Sequence, residues 1–166
     1  MEASQSALAN VMKILKVGVT LGEIGKVVEE TILSYGFQPI RNLSGHGLAL
    51  HTFHTAPTIP NYDTHDKTAL QKGMIIAIEP FGTDGEGRIK ESGDVVIWEE
   101  MSHKPIRSML AREIAREIEN FEHLPFARRW LDEKFGLNKV SLALQQLKMN
   151  GNIQGHAPLV EVSKGM

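Results

Sequence analysis

The chain has no cysteine among its 166 residues, which excludes disulfides and thiolate metal sites. Long apolar runs are also missing: none approaches the roughly 20 residues needed to span a bilayer. The segment Met1-Glu2-Ala3-Ser4-Gln5-Ser6 lacks the charged and apolar regions of a signal peptide, so no membrane partner and a cytoplasmic location are expected. Charge of one sign is scarce as well. The chain carries 18 Lys+Arg and 20 Asp+Glu. Residues 1–105 hold 9 basic against 13 acidic side chains and residues 106–166 hold 9 against 7. Neither part is basic enough to suggest nucleic acid from charge alone. There is no Walker sequence, Gly82-Thr83-Asp84-Gly85 is not followed by a helix pattern, and Ser44-Gly45-His46 is no nucleophile elbow. Repeats and low-complexity tracts are absent.

What is present is an ordinary globular composition, 42% apolar and 23% charged. Apolar residues at helical spacing over residues 4–16 predict one helix, with Gly18 as its stop. Thr20 followed by Glu23 has the spacing of a capping box and starts a second helix, running to about Tyr35, which Gly36 ends. Residues 37–43 read as a strand, residues 48–59 as a mixed stretch holding another, and Pro57, Pro60, Asn61 and Asp63 as a loop. The apolar, β-branched run 74–78 reads as a buried strand, residues 83–87 as a turn, and residues 95–98 as a strand. At Pro105 the pattern changes. Residues 106–121 are amphipathic, Pro125 suits a helix start, and residues 140–149 form a third helix closed by Gly151. Residues 152–162 suit a short hairpin. Three helices followed by a hairpin is the order of a winged-helix module. Residues 37–98 are expected to form a mostly antiparallel sheet flanked by the first two helices.

Seven histidines without cysteine direct attention to His/carboxylate chemistry. His46 lies between Gly45 and Gly47; it reads either as a ring left open to a metal or substrate or as a histidine in a Gly-rich turn. Glu79 ends the apolar run and precedes Pro80. Burying a lone carboxylate costs several kcal/mol at least, so it either meets a cation, turns to solvent or pairs with an Arg. His51 and His54, three apart on a strand, face opposite sides. His65 sits beside Asp63 and Asp66 in a polar loop. His103, His123 and His156 have no clustered partners in the sequence.

Taken together, Asn42-Leu43-Ser44-Gly45-His46, His54, Ile59-Pro60-Asn61 and Ala77-Ile78-Glu79-Pro80-Phe81 resemble the type II methionine aminopeptidases. Leu124-Pro125-Phe126-Ala127-Arg128-Arg129-Trp130-Leu131 adds a match in the helical insert that separates type II from type I. The resemblance covers nearly the whole chain. It implies an α+β class: the second half of a pita-bread fold over residues 1–105, a winged-helix-like insert over 106–162, and at 163–166 the start of a return to the catalytic domain. It further implies an enzyme that removes the N-terminal methionine of nascent proteins, near the ribosome, by a two-metal hydrolytic mechanism. The metals are divalent, with Co, Mn, Fe and Zn all open. On the resemblance His46 is a metal ligand, and Glu79 is a ligand that also acts as general base and acid. His54 contacts the substrate and steadies the tetrahedral intermediate, and Phe53 lines the methionine pocket.

The family's two aspartate ligands precede the position of Met1 and its last glutamate ligand follows Met166, so the isolated chain is expected to be inactive. A different class of function is a metal-free pita-bread relative serving as a binding module; retention of both His46 and Glu79 argues against it. Nucleic-acid binding through residues 106–162 is disfavoured, because the third helix there offers only Lys139 and Lys148 as cations.

Overall fold

The computed structural model describes residues 1–164. Its contacts divide the chain into two compact units: Met1–Lys90 with the described residues from Leu159 onward, and Glu91–Pro158.

The first unit begins with two helices, α1 (Glu2–Ile14) and α2 (Leu21–Ser34), packed on each other. The capping box at the head of α2 is formed. The Thr20 hydroxyl accepts from Glu23 N at 3.2 Å, while the Glu23 carboxylate accepts from Thr20 N at 2.8 Å and from its hydroxyl at 2.7 Å. Ala7, Val11, Ile24, Val28 and Ile32 recur at helical spacing and bury their side chains with Ile59 and Leu70. Burying each Val, Ile or Leu side chain contributes roughly 1.5–3 kcal/mol.

Short antiparallel strands then follow. β1 (Gln38–Pro39) pairs with β5 (Gly82–Thr83), and β2 (Gly45–Ala49) lies between β3 (Thr52–Ile59) and β4 (Ile76–Ala77). β6 (Ile89–Glu91) lies beside β10 (Leu159–Glu161). The strand expected over 37–43 thus shrinks to two residues, and the run 74–78 to Ile76–Ala77. The latter is not fully buried: Met74 and Ile75 lie ahead of β4 and are exposed, and residues 76–78 are half-buried.

The second unit is built on β7 (Ile97–Glu100), flanked by β8 (Phe126–Ala127) and β9 (Ile153–His156). The helices α3 (Met109–Ile118), α4 (Arg128–Phe135) and α5 (Leu137–Asn150) close over a core that includes Trp98, Ile114, Phe126, Leu131 and Leu144. Three expectations change here. The strand near residues 95–98 joins this sheet and not the one of residues 37–83, so the pattern change at Pro105 falls inside the unit. Residues 152–162 form no hairpin: β9 pairs with β7, and β10 with β6. Pro125 precedes a strand residue, not a first helical turn, and α4 starts three residues later. Of the segment 163–166, Gly165 and Met166 lie outside the described residues.

The capping box makes a pH prediction. Hydrogen bonds from the Thr20 backbone N–H and hydroxyl hold the Glu23 carboxyl below the usual glutamate range. A folded-state value below the unfolded one stabilises the fold above the unfolded value, near 4.3, and that contribution is lost as pH falls through the lowered one. Urea unfolding of the protein and of Glu23→Gln should therefore differ most above about pH 5 and converge at more acidic pH. A constant difference across that range would rule the box out as the source.

Candidate metal and substrate site

His46 is buried in the middle of β2, opposite Thr58 of β3 on one side and Ala77 of β4 on the other. Its glycine neighbours have a structural cause. A Cβ on Gly45 would collide with the carbonyl oxygen of Ala77 and stand 3.2 Å from Glu79 N; one on Gly47 would collide with the carbonyl oxygen of Ala56. The sequence suggested that the glycines free the imidazole; the structure shows that they admit the two flanking backbones.

The imidazole is fixed in one tautomer. Nδ1 lies 2.9 Å from the Gly47 carbonyl oxygen. A carbonyl oxygen only accepts, so in the neutral imidazole Nδ1 carries the proton and Nε2 presents a lone pair. That lone pair faces Glu79, whose Oε1 is 3.7 Å away. Glu79 follows β4 by two residues and its side chain is 37% exposed, so it is neither sunk in the core nor paired with an Arg. Two electron-rich atoms at this separation suit a shared cation, and a hydrogen bond from Nδ1 to a backbone carbonyl is the arrangement that orients a metal-binding imidazole. Zinc at its usual 2.0–2.1 Å from nitrogen and oxygen would place tetrahedral donors about 3.3–3.4 Å apart, so the pair fits with a small adjustment of the exposed carboxylate.

Phe53 and His54 both reach the His46 ring, with centroids 5.3 Å and 4.1 Å away, and their own rings meet edge to face at 4.6 Å. Adjacent residues of a flat strand would face opposite sides. Here the β2–β3 register shifts at His46/Gly47 and again at Gly47/Ala49, and this irregular end of the pair lets both rings gather. His51 is not on a strand: it occupies the β2–β3 turn with φ 53°. His65 is exposed, 3.2 Å from Asp63.

Sequence reasoning missed two features. Asn61, 2% exposed, donates from Nδ2 to the Leu43 carbonyl at 2.9 Å and accepts from Phe81 N at 3.4 Å. It thereby ties the approach to His46 to the exit from Glu79. The second feature lies in the other unit, where His103 and His123, read as isolated, both stand against Glu100 at 3.4 and 2.8 Å. His156 also has a partner, Glu99, at 3.3 Å. These contacts join residues up to 57 positions apart, which spacing in the sequence cannot reveal.

The profile of Metallopeptidase family M24 matches residues 1–123. The chain belongs to that family. It is 40% identical over 166 residues to a methionine aminopeptidase of Archaeoglobus fulgidus, covering 99% of this chain and 55% of the relative. It is also 40% identical to one of Thermococcus onnurineus, covering 99% and 56%. The chain thus spans a little over half the length of these curated relatives. A crystal structure of the Thermotoga maritima methionine aminopeptidase superposes on 55% of the chain and 36% of that protein, with TM-score 0.51 and 36% identity. A thermophilic Arx1 structure superposes on 98% of the chain and 49% of its own, with TM-score 0.74 and 12% identity, a likeness of fold alone. The M24 chain described here is a mixed α+β structure matching half of a pita-bread fold.

The glycine constraint is testable by stability. Gly47→Ala is expected to destabilise the protein by about 1–3 kcal/mol through overpacking against Ala56. Leu50→Ala, at an 85% exposed position, should stay within about 0.5 kcal/mol. Equal denaturation midpoints for both variants would refute the constraint.

Proposed function

We propose that this chain supplies part of the catalytic centre of a methionine aminopeptidase, an enzyme that removes the N-terminal methionine of nascent proteins in the cytoplasm. The observation that carries the reading is the His46 imidazole. Its Nδ1–H is committed to Gly47, its Nε2 is aimed at Glu79, and Phe53 and His54 rest against it, in an M24 chain similar to named methionine aminopeptidases.

His46 Nε2 and Glu79 would hold divalent metal. Bound there, divalent cations activate water and polarise the scissile carbonyl. The chain's own residues do the rest. Glu79, partly open to solvent, can take a proton from the attacking water and return it to the leaving amine. His54, exposed and in edge contact with His46, would donate a hydrogen bond where charge develops on the substrate oxygen. Phe53, 44% exposed, offers an apolar wall to a methionine side chain.

Among the described residues no third imidazole or carboxylate joins His46 and Glu79 in a three-ligand group. One imidazole and one carboxylate hold a cation weakly and do not fix two at a set spacing. Activity therefore depends on further ligands, and the metal, whether Co, Mn, Fe or Zn, is not chosen by this donor pair.

The test is methionine release from a Met-Ala-Ser peptide with added Co²⁺ or Mn²⁺. Two proteins are compared: the chain itself, and a chimera in which it replaces the matching 55% of the Archaeoglobus relative. The chimera should turn over and lose at least about 100-fold on Glu79→Ala, while the chain alone stays at background. Robust turnover by the chain alone, abolished by Glu79→Ala, would overturn the dependence on further ligands. A chimera whose activity ignores Glu79→Ala would overturn the assigned centre.

A further inference from the structure

We propose that Glu100, His103 and His123 form a second site for a divalent transition metal, a zinc-type clip within residues 91–158 that shares no residue with the M24 centre. Each residue offers one ligand atom, and these atoms lie within 4.8 Å of one another. Glu100 Oε1 is 3.4 Å from His103 Nδ1 and Glu100 Oε2 is 2.8 Å from His123 Nδ1. The two imidazoles meet edge to face with centroids 5.5 Å apart, so both ring nitrogens converge on one carboxylate.

The carboxylate gives an independent indication. The Glu100 side chain is only 9% exposed. Its Oε2 is shielded from solvent yet has no hydrogen-bond partner. His123 Nδ1, 2.8 Å away, is an ion-pair neighbour and not a hydrogen-bond partner of this oxygen. A buried carboxylate oxygen with no donor is costly. A cation placed between it and the two imidazole nitrogens satisfies all three at once.

The ligands sit on braced segments. Glu100 ends β7, whose partner β9 fixes it opposite Ile153. The loop carrying His103 is held by Asn152, 4% exposed, whose Nδ2 donates to the carbonyls of Ser102 and Lys104 at 3.1 and 2.9 Å. His123 follows a 3-10 turn at Glu119–Phe121, whose Phe121 stacks on the buried Phe126 at 5.1 Å. Only the two imidazoles, 62% and 57% exposed, have freedom to adjust. The three ligand atoms lie within 4.8 Å of one another, so turning the exposed imidazoles inward is what brings them to the roughly 3.3–3.4 Å of a tetrahedral site.

The chemistry follows from the donor set. Two imidazoles and one carboxylate suit Zn²⁺, or Co²⁺ and Ni²⁺ as substitutes, above Mg²⁺ or Ca²⁺, which prefer oxygen. Three protein ligands leave one position for water. The bond network would join the end of β7, the 101–105 loop and the turn before β8, so the ion acts as a cross-link between them.

The experiment is isothermal titration of the metal-free full chain with Zn²⁺ at pH 7.5, with the melting temperature read in parallel. The wild type should bind one Zn²⁺ more tightly than any other and melt higher with it. His103→Ala and His123→Ala, both at exposed positions, should each weaken that event by at least about tenfold and remove the rise in melting temperature. His46→Ala should leave it unchanged. Co²⁺ in place of Zn²⁺ should give visible absorption that His123→Ala removes. Unchanged Zn²⁺ binding in the His103→Ala/His123→Ala double variant would overturn the site, as would loss on His46→Ala alone. Absence of Zn²⁺ binding below the millimolar range would also overturn it, and would leave the cluster as a Glu–His ion pair.

Discussion

Three strands meet at Gly45-His46-Gly47 so closely that two backbone carbonyls occupy the space where side chains would stand. Everything else about the first site depends on that approach. Because Ala77 abuts Gly45, the chain leaving β4 passes within reach of β2, and Glu79 arrives beside the one imidazole those three residues carry. Where Ala56 abuts Gly47 the β2–β3 pairing shifts register, and the Phe53 and His54 rings come onto His46. The same glycine supplies the carbonyl that fixes the His46 tautomer. Close packing and the orientation of the His46 ring are therefore one constraint. Adding a methyl group at either glycine would move the strands and, with them, the direction in which Nε2 points.

The parts of this arrangement that the sequence revealed are those with local causes. Thr20 and Glu23 are three residues apart and make their bonds within one turn, so the start of α2 is legible without knowledge of the fold. Apolar spacing likewise marks α1 and α2. Strand limits depend on partners far away. Residues 74–78 have strand composition throughout, yet only Ile76 and Ala77 find a partner, and Ile75 is 66% exposed. Residues 152–162 look like two strands and a turn. Their partners, however, are β7 and β6, and nothing within the segment says so.

The two His/carboxylate groups illustrate the same limit. His46 and Glu79 are separated by 33 positions. The physics of the residues alone left several roles open for each; the family pattern is what joined them. Glu100, His103 and His123 carry no such pattern in the sequence. They come together because β7 ends beside the loop that Asn152 holds and near the turn after α3. A histidine's neighbours along the chain are thus a poor guide to its chemistry, and a shielded carboxylate oxygen lacking a donor is a better one.

Asn61 shows how the spacing of the first pair is set from outside it. Its amide donates to the Leu43 carbonyl, three residues before His46, and accepts from Phe81 N, two residues after Glu79. An aspartate would have no hydrogen for Leu43, and a leucine could do neither. At 2% exposure the amide is shielded from solvent, so a lost bond would leave a buried polar group unsatisfied at a cost of about 1–3 kcal/mol. The segment carrying Asn61 follows β3 directly, and β3 is the strand that brings Phe53 and His54 to the His46 ring. One stretch of chain thus places the aromatic contacts and also clamps the segments that carry His46 and Glu79 together. The separation of His46 from Glu79 is consequently a property of the β2–β3–β4 packing and its Asn61 tie.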